Sequence, residues 1–232
     1  MKNIFYFLTF ILLVTTVITS NAQTTAWTRA NTLQKGMNMS AWLEAEWDFP
    51  ANYLDTFKYT KNHFIFLKNL GYKTIRLPVM FEYVADTFPP YNLQTSHIAY
   101  SLVDSCISWT QSIGLNLVID NHTFVAPYEI TNANYLAMLP RICGVWKNLT
   151  QKYQSLNPTT TFFEIRNEPT DAISTANWRI VAKAIIDTIR NYDTQHTIIT
   201  GAAYWNDGDS LANLTPFADT NIIYTFHYYR PE

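Results

Sequence analysis

Six short segments of this chain read as β-strands, from apolar runs or from alternation of apolar and polar positions: about Lys35–Met39, Tyr72–Pro78, Leu115–Asp120, Thr161–Arg166, Thr197–Thr200 and Asn221–Phe226. Between them the apolar spacing changes to three and four residues, the period of a helix that buries one face. Thr60–Leu70 closes at Gly71 and Ser96–Ile113 closes at Gly114, each glycine standing where a left-handed cap is wanted. Ser96–Ile113 puts Ile98, Leu102, Val103, Cys106, Ile107, Thr110 and Ile113 on one stripe, and Thr175–Asn191 does the same with Trp178, Val181, Ala182, Ile185, Ile186 and Ile189. Asn134–Tyr153 is expected to be helical with an interruption near Pro140.

Strand and helix alternate throughout, which implies a parallel sheet with helical crossovers, either a (β/α) barrel or an open doubly wound sheet. Two features favour the barrel. The segment after the first strand, GMNMSAW, contains one glycine, so the glycine-rich phosphate loop of an open nucleotide-binding sheet is missing. The second feature is parity. Thr74 and Arg76 share one side of their strand; Asn116, Val118, Asp120 and His122 share one side of the next; Glu164, Arg166 and Glu168 of the fourth; Thr225, His227 and Tyr229 of the sixth. The opposite sides read Ile75 and Leu77, Leu117 and Ile119, Phe163 and Ile165, suited to an outer ring of helices. One parity therefore faces helices and the other a lumen. In a barrel the lumen residues nearest the C-terminal strand ends converge, and here these are Arg76, His122, Glu168, His227 and Tyr229. Glu164 and Arg166 are expected to form an internal ion pair beneath them.

Composition narrows the ligand. Net charge is −2 and the 15% of charged residues are spread without runs, so the basic stripe that nucleic acid requires is not there. Aromatic residues make up 16%, including 7 Trp and 15 Tyr, and flat, partly polar rings suit carbohydrate surfaces as well as cores. Residues 1–22 carry Lys2, an apolar run from Ile4 to Ile18 and the small residues of Ser20-Asn21-Ala22, which read as a secretory signal peptide. Residues 23–232, about 210 in number, then form one domain, secreted or periplasmic, monomeric and free of membrane. Cys106 and Cys143 fall on separate helices and are open to either pairing or burial as thiols. No cofactor is expected. A metal site on Asp120, His122 and His227 lacks the HExxH or comparable spacing of metal hydrolases, and no GxSxG elbow is present. Asn-x-Ser/Thr matches at Asn38, Asn121, Asn148 and Asn213 are read as chance, two of them lying at strand ends by the site.

FEIRNEP, with Asn167 and Glu168 after an apolar strand, carries the strongest motif, and it stands in an ordered series with IRLPV, LVIDNH and FHYY. From about Leu33 to Tyr229 the chain resembles glycoside hydrolase family 5, the cellulase and β-mannanase family of (β/α)8 barrels. The resemblance implies a retaining hydrolase of β-1,4-linked polysaccharide or oligosaccharide. Glu168 would be its general acid/base and Asn167 would hold a sugar 2-hydroxyl. Arg76 would bond the nucleophile, His122, His227 and Tyr229 would line the catalytic subsite, and Trp205 would stack on a sugar. In that family the nucleophile is a glutamate ending the seventh strand. This sequence reaches Glu232 just after its sixth, so about six strand-helix units are expected and Glu232, in a loop after Arg230-Pro231, is not read as that nucleophile. Retaining hydrolysis needs two carboxyls about 5 Å apart, so very slow turnover is expected of this chain alone. The competing expectation is a carbohydrate-binding remnant that uses Trp42, Trp47, Trp205 and the lumen residues without catalysis.

Overall fold

The computed structural model describes residues 24–44 and 58–229; the leader segment, Trp47 and Glu232 lie outside them. Six strands form one sheet in sequential order, every neighbouring pair parallel. They are β1 (Gly36–Asn38), β2 (Thr74–Val79), β3 (Asn116–Asn121), β4 (Thr161–Glu164), β5 (Thr197–Thr200) and β6 (Ile222–Tyr224). The main crossovers are α2 (Lys61–Asn69), α3 (Ile98–Ile113), α4 (Tyr135–Tyr153) and α5 (Thr175–Arg190), while α1 (Thr25–Leu33) precedes β1 and the short α6 (Gly208–Ala212) precedes β6. This is the expected partial barrel.

The two faces of the sheet separate as parity predicts. Ile75, Leu77, Leu117, Ile119, Phe163 and Ile165 enter one large core with the buried stripes of the helices. On the lumen side Val118, Phe162 and Ile199 form a smaller cluster, with Leu33 and Ile223 against it. All six stripe residues of α5 are buried. Gly114 caps α3 at φ 73°, ψ 48° and Gly71 follows α2 at φ 84°, both left-handed conformations that cost a side chain energy.

Three expectations need correction. Helix α4 is continuous through Pro140. The proline is the sixth residue of the helix, and the turn its ring crowds is that of Leu136, a residue 60% exposed. The fourth strand ends at Glu164 rather than Arg166, because the chain bends at Ile165. Helix α1 has no counterpart in the sequence reading. It closes the end of the sheet opposite the strand C-termini, with the Leu33 carbonyl accepting from the Thr74 hydroxyl at 2.5 Å and the Thr32 carbonyl from Asn116 Nδ2 at 2.8 Å. Cys106 is buried, Cys143 half-buried, and both are free thiols.

Candidate active site

Strands β2, β3 and β4 bring a cation and two carboxylates together. Arg76 sits beside Asn38 in the β1–β2 register, and its Nη1 donates to Asn38 Oδ1 at 2.9 Å. Its Nε and Nη2 donate to the two oxygens of Glu164 at 2.7 and 2.8 Å, a two-pronged pair. The same Nη2 reaches Asn167 Oδ1 at 2.8 Å and Asp120 Oδ2 at 2.9 Å. Asp120 Oδ2 is also 2.6 Å from His122 Nδ1. Burial works against the Arg76 charge, but Asp120 and Glu164 outweigh it and hold its pKa above the usual range. Burial raises the Glu164 carboxyl, against the lowering influence of Arg76.

Glu168 lies next to this cluster. Its Oε1 is 2.5 Å from His227 Nδ1 and accepts from the Tyr229 hydroxyl at 2.7 Å, both residues following β6. Burial pushes the Glu168 carboxyl up, but the hydrogen bonds from His227 and Tyr229, then the charges of His227 and His122, prevail and hold it below the ordinary glutamate range. Tyr229 is pushed up to about 12, by burial first and then by the carboxylate it bonds.

Arg76, His122, Asn167, Glu168, His227 and Tyr229 all line one cleft of about 570 Å³, as do Asn38, Glu44 and Phe124. Six of the seven sequence candidates are thus brought together. Trp205, 46% exposed, does not line this cleft; its backbone N–H donates to the Pro169 carbonyl at 2.9 Å, which keeps it beside the site. Trp42 is 1% exposed and packs edge-on against Tyr59, so it offers no ring to a sugar. Asp120 is held by Arg76 and His122, while His227 faces Glu168. Among the described residues no group of three or more His, Cys, Asp or Glu is placed to hold a metal ion.

The expected Glu164–Arg166 pair is not formed. Glu164 belongs to Arg76, and Arg166 turns away from the lumen to Glu82, with Nη1 to Oε1 at 2.9 Å and both side chains almost fully buried. The bend after Glu164 breaks the period of two, so Asn167 and Glu168 reach the cleft although they are adjacent. Asn167 N–H restores contact with the sheet by donating to the Asn121 carbonyl at 3.1 Å. Glu82, on a 3₁₀ turn at Phe81–Val84, and Glu44, whose carboxylate accepts from the N–H groups of Ala41 and Trp42, were not indicated by any periodicity. Asn38 was within reach of it, two residues from Gly36 on the lumen parity of β1.

Comparison with known proteins agrees with this geometry. Endoglucanase 3 of Fibrobacter succinogenes is 33% identical over 213 residues, covering 86% of this chain and 31% of that protein. Endoglucanase H of Acetivibrio thermocellus is 27% identical, covering 84% of this chain and 20% of its own length. The crystal structure of endoglucanase Cel5A from Thermotoga maritima superposes with a TM-score of 0.76 at 28% identity, over 88% of this chain and 63% of that one. Cel5A has also been crystallised with mannotriose and with cellobiose. The chain therefore spans less than two thirds of the length of each of these proteins. Its match to the family model Cellulase (glycosyl hydrolase family 5) runs over residues 23–232, and with the six-stranded parallel sheet and the Asn-Glu at the end of β4, the chain belongs to glycosyl hydrolase family 5.

Proposed function

We propose that this chain carries the acid/base half of a retaining glycosidase site for β-1,4-linked glucan, with β-mannan or xyloglucan as further substrates, in a protein exported by the leader at residues 1–22. Glu168 is the general acid/base. The observation that carries the reading is its place at the end of β4, open to the cleft, with one carboxylate oxygen held by both His227 and Tyr229. Asn167 is fixed by Arg76 and presents its amide to the same cleft, where it holds a sugar hydroxyl. His122 lines the same cleft, and Trp205 offers an exposed ring beside it. The complexes of Cel5A with cellobiose and mannotriose support β-linked gluco- and manno-oligosaccharides as ligands.

The nucleophile comes from a strand adjoining β6. Covalent retention needs a second, ionised carboxylate about 5 Å from the acid. The described carboxylates near Glu168 are engaged: Glu164 and Asp120 are buried against Arg76, Glu129 accepts from the Thr170 hydroxyl, and Glu44 accepts from two backbone N–H groups. The edge of β6 faces a lumen opening of about 360 Å³, lined by Asn38, Arg76, Glu164, Tyr224 and His227, where a further strand brings its side chains beside Arg76.

The test is turnover of a soluble β-glucan and a β-mannan by this chain, by the chain extended through two further strand-helix units, and by the extended Glu168→Gln form. Activity confined to the extended, unsubstituted form is expected. Equal activity without the extension would place a second carboxylate within these residues, and full activity of the Glu168→Gln form would remove Glu168 from the chemistry.

A further inference from the structure

The segment between β5 and α6 holds the most strained backbone near the cleft. Tyr204, Trp205 and Asn206 have φ of 57°, 59° and 61°, three consecutive left-handed residues without a glycine. This region is disfavoured for L-residues, more for tyrosine and tryptophan than for asparagine. Such a run persists only where its surroundings fix it, and the surroundings here are specific. The Asn206 side chain is fully buried, and its Oδ1 accepts from Ala202 N–H at 3.1 Å. It occupies the space that a side chain at Gly201 would need, since a Cβ there would come within 1.8 Å of Oδ1. Gly201 itself does not have positive φ, so glycine is required at that position for space rather than for conformation. The Gly201 carbonyl is fixed in turn by Trp178 Nε1 at 2.9 Å.

What the turn holds gives the strain a use. Trp205 N–H donates to the carbonyl of Pro169, the residue after Glu168, at 2.9 Å. The Asn206 carbonyl accepts from the N–H of His227 at 2.8 Å. Backbone groups of two adjacent residues in one turn thus grip the chain beside Glu168 and the backbone of the histidine that bonds it. A right-handed turn would point these groups elsewhere. Asp207 follows in extended conformation and caps α6 with its side chain, so the handedness changes back within one residue.

We propose that Asn206 is a positioning residue: anchored against Gly201, it holds the left-handed turn that sets the distance between Glu168 and His227. The inference rests on the reading of Glu168 given above for its catalytic meaning, but its geometry can be tested without turnover. The groups that face Glu168 are His227, Tyr229 and, at longer range, His122. Loosening the turn weakens the His227 contact and so moves the Glu168 carboxyl upward.

The experiment is NMR titration of the Glu168 carboxyl in the chain labelled with ¹³C at glutamate side-chain carboxyls, in wild type, Asn206→Gly and Gly201→Ala, with His227→Gln as the reference for a lost contact. Asn206→Gly keeps tolerance of positive φ but removes the anchor. Gly201→Ala leaves Asn206 in place and expels its side chain, so the two variants attack one contact from opposite sides. Ile185→Val, a truncation in the core stripe of α5, controls for general destabilisation. The expected result is a Glu168 midpoint that rises most of the way to that of His227→Gln in both anchor variants and stays at the wild-type position in Ile185→Val. A wild-type midpoint in either anchor variant that retains its fold overturns the proposal, as does an equal rise in the Ile185→Val control. If the extended Glu168→Gln form retains full turnover while the midpoints move as expected, the catalytic reading fails and the positioning stands.

Discussion

The buried pair behind the cleft offers the sharpest energetic test. Arg166 and Glu82 are 2% and 1% exposed, with Arg166 Nη1 2.9 Å from Glu82 Oε1. The same oxygen accepts from Asn121 Nδ2 at 3.1 Å, and Arg166 Nη2 donates to the Tyr128 carbonyl at 2.9 Å. Glu82→Met leaves the guanidinium buried and without that carboxylate. Removing one partner of a buried pair costs about 3–5 kcal/mol, and Arg166→Met is expected to cost a similar amount. The double variant removes both charges and leaves two orphans, Asn121 Nδ2 and the Tyr128 carbonyl, at about 1–2 kcal/mol each. The single losses sum to about 6–10 kcal/mol and the double to about 2–4, so a coupling energy of about 5 kcal/mol is expected. Urea unfolding followed by tryptophan fluorescence, with linear extrapolation, measures it. Sulfate in the buffer keeps the weaker variants folded at zero urea. Losses that add to within about 0.5 kcal/mol would mean that the two side chains do not act as one desolvated unit.

Two further outcomes follow from single groups. Gly114→Ala forces a side chain into the left-handed cap of α3 and is expected to cost about 1 kcal/mol, read as a fall in Tm of about 2–4 °C; an unchanged Tm would contradict the capping argument. Glu168 is held below the ordinary glutamate range in the folded chain. Its contribution to stability is therefore present above the unfolded-state pKa of about 4.3 and is lost as pH falls through the lower folded-state value. Glu168→Gln removes that contribution, so its Tm should fall less steeply on acidification, and parallel acid limbs would refute the sign.

The fold was legible because two periods recur cleanly. Phe163 and Ile165 against Glu164, or Ile75 and Leu77 against Arg76, declare which side of each strand meets the helices, and the glycines at 71 and 114 mark helix ends. Much of the site was legible for the same reason, since Arg76, His122, His227 and Tyr229 keep the lumen parity to the ends of their strands. Parity failed where the backbone leaves the strand. The bend at Ile165 turned Arg166 outward to Glu82 and brought Asn167 inward, and a period of two contains no information about a bend. Glu44 and Glu82 lie on irregular segments, where hydrogen bonds to nearby backbone and to distant side chains fix a carboxylate without leaving a pattern. The left-handed turn at Tyr204–Asn206 was invisible because neither tyrosine nor tryptophan favours it; only the contacts made by Asn206 explain it.

Electrostatics decide what Glu168 needs in order to act as an acid. Two donors converge on Oε1, and each hydrogen bond to an ionised carboxylate is worth about 1.5–3 kcal/mol. Both favour the deprotonated form. A second carboxylate about 5 Å away opposes them with about 3 kcal/mol at an effective dielectric of about 20, comparable to one such bond and less than the pair together. On the proposed reading, the nucleophile's charge alone therefore does not release Glu168 from its low range. On the same reading, a bound sugar displaces water from the cleft, and the lost solvation raises the cost of holding both carboxyls ionised. On that reading, filling the cleft moves Glu168 toward its protonated form.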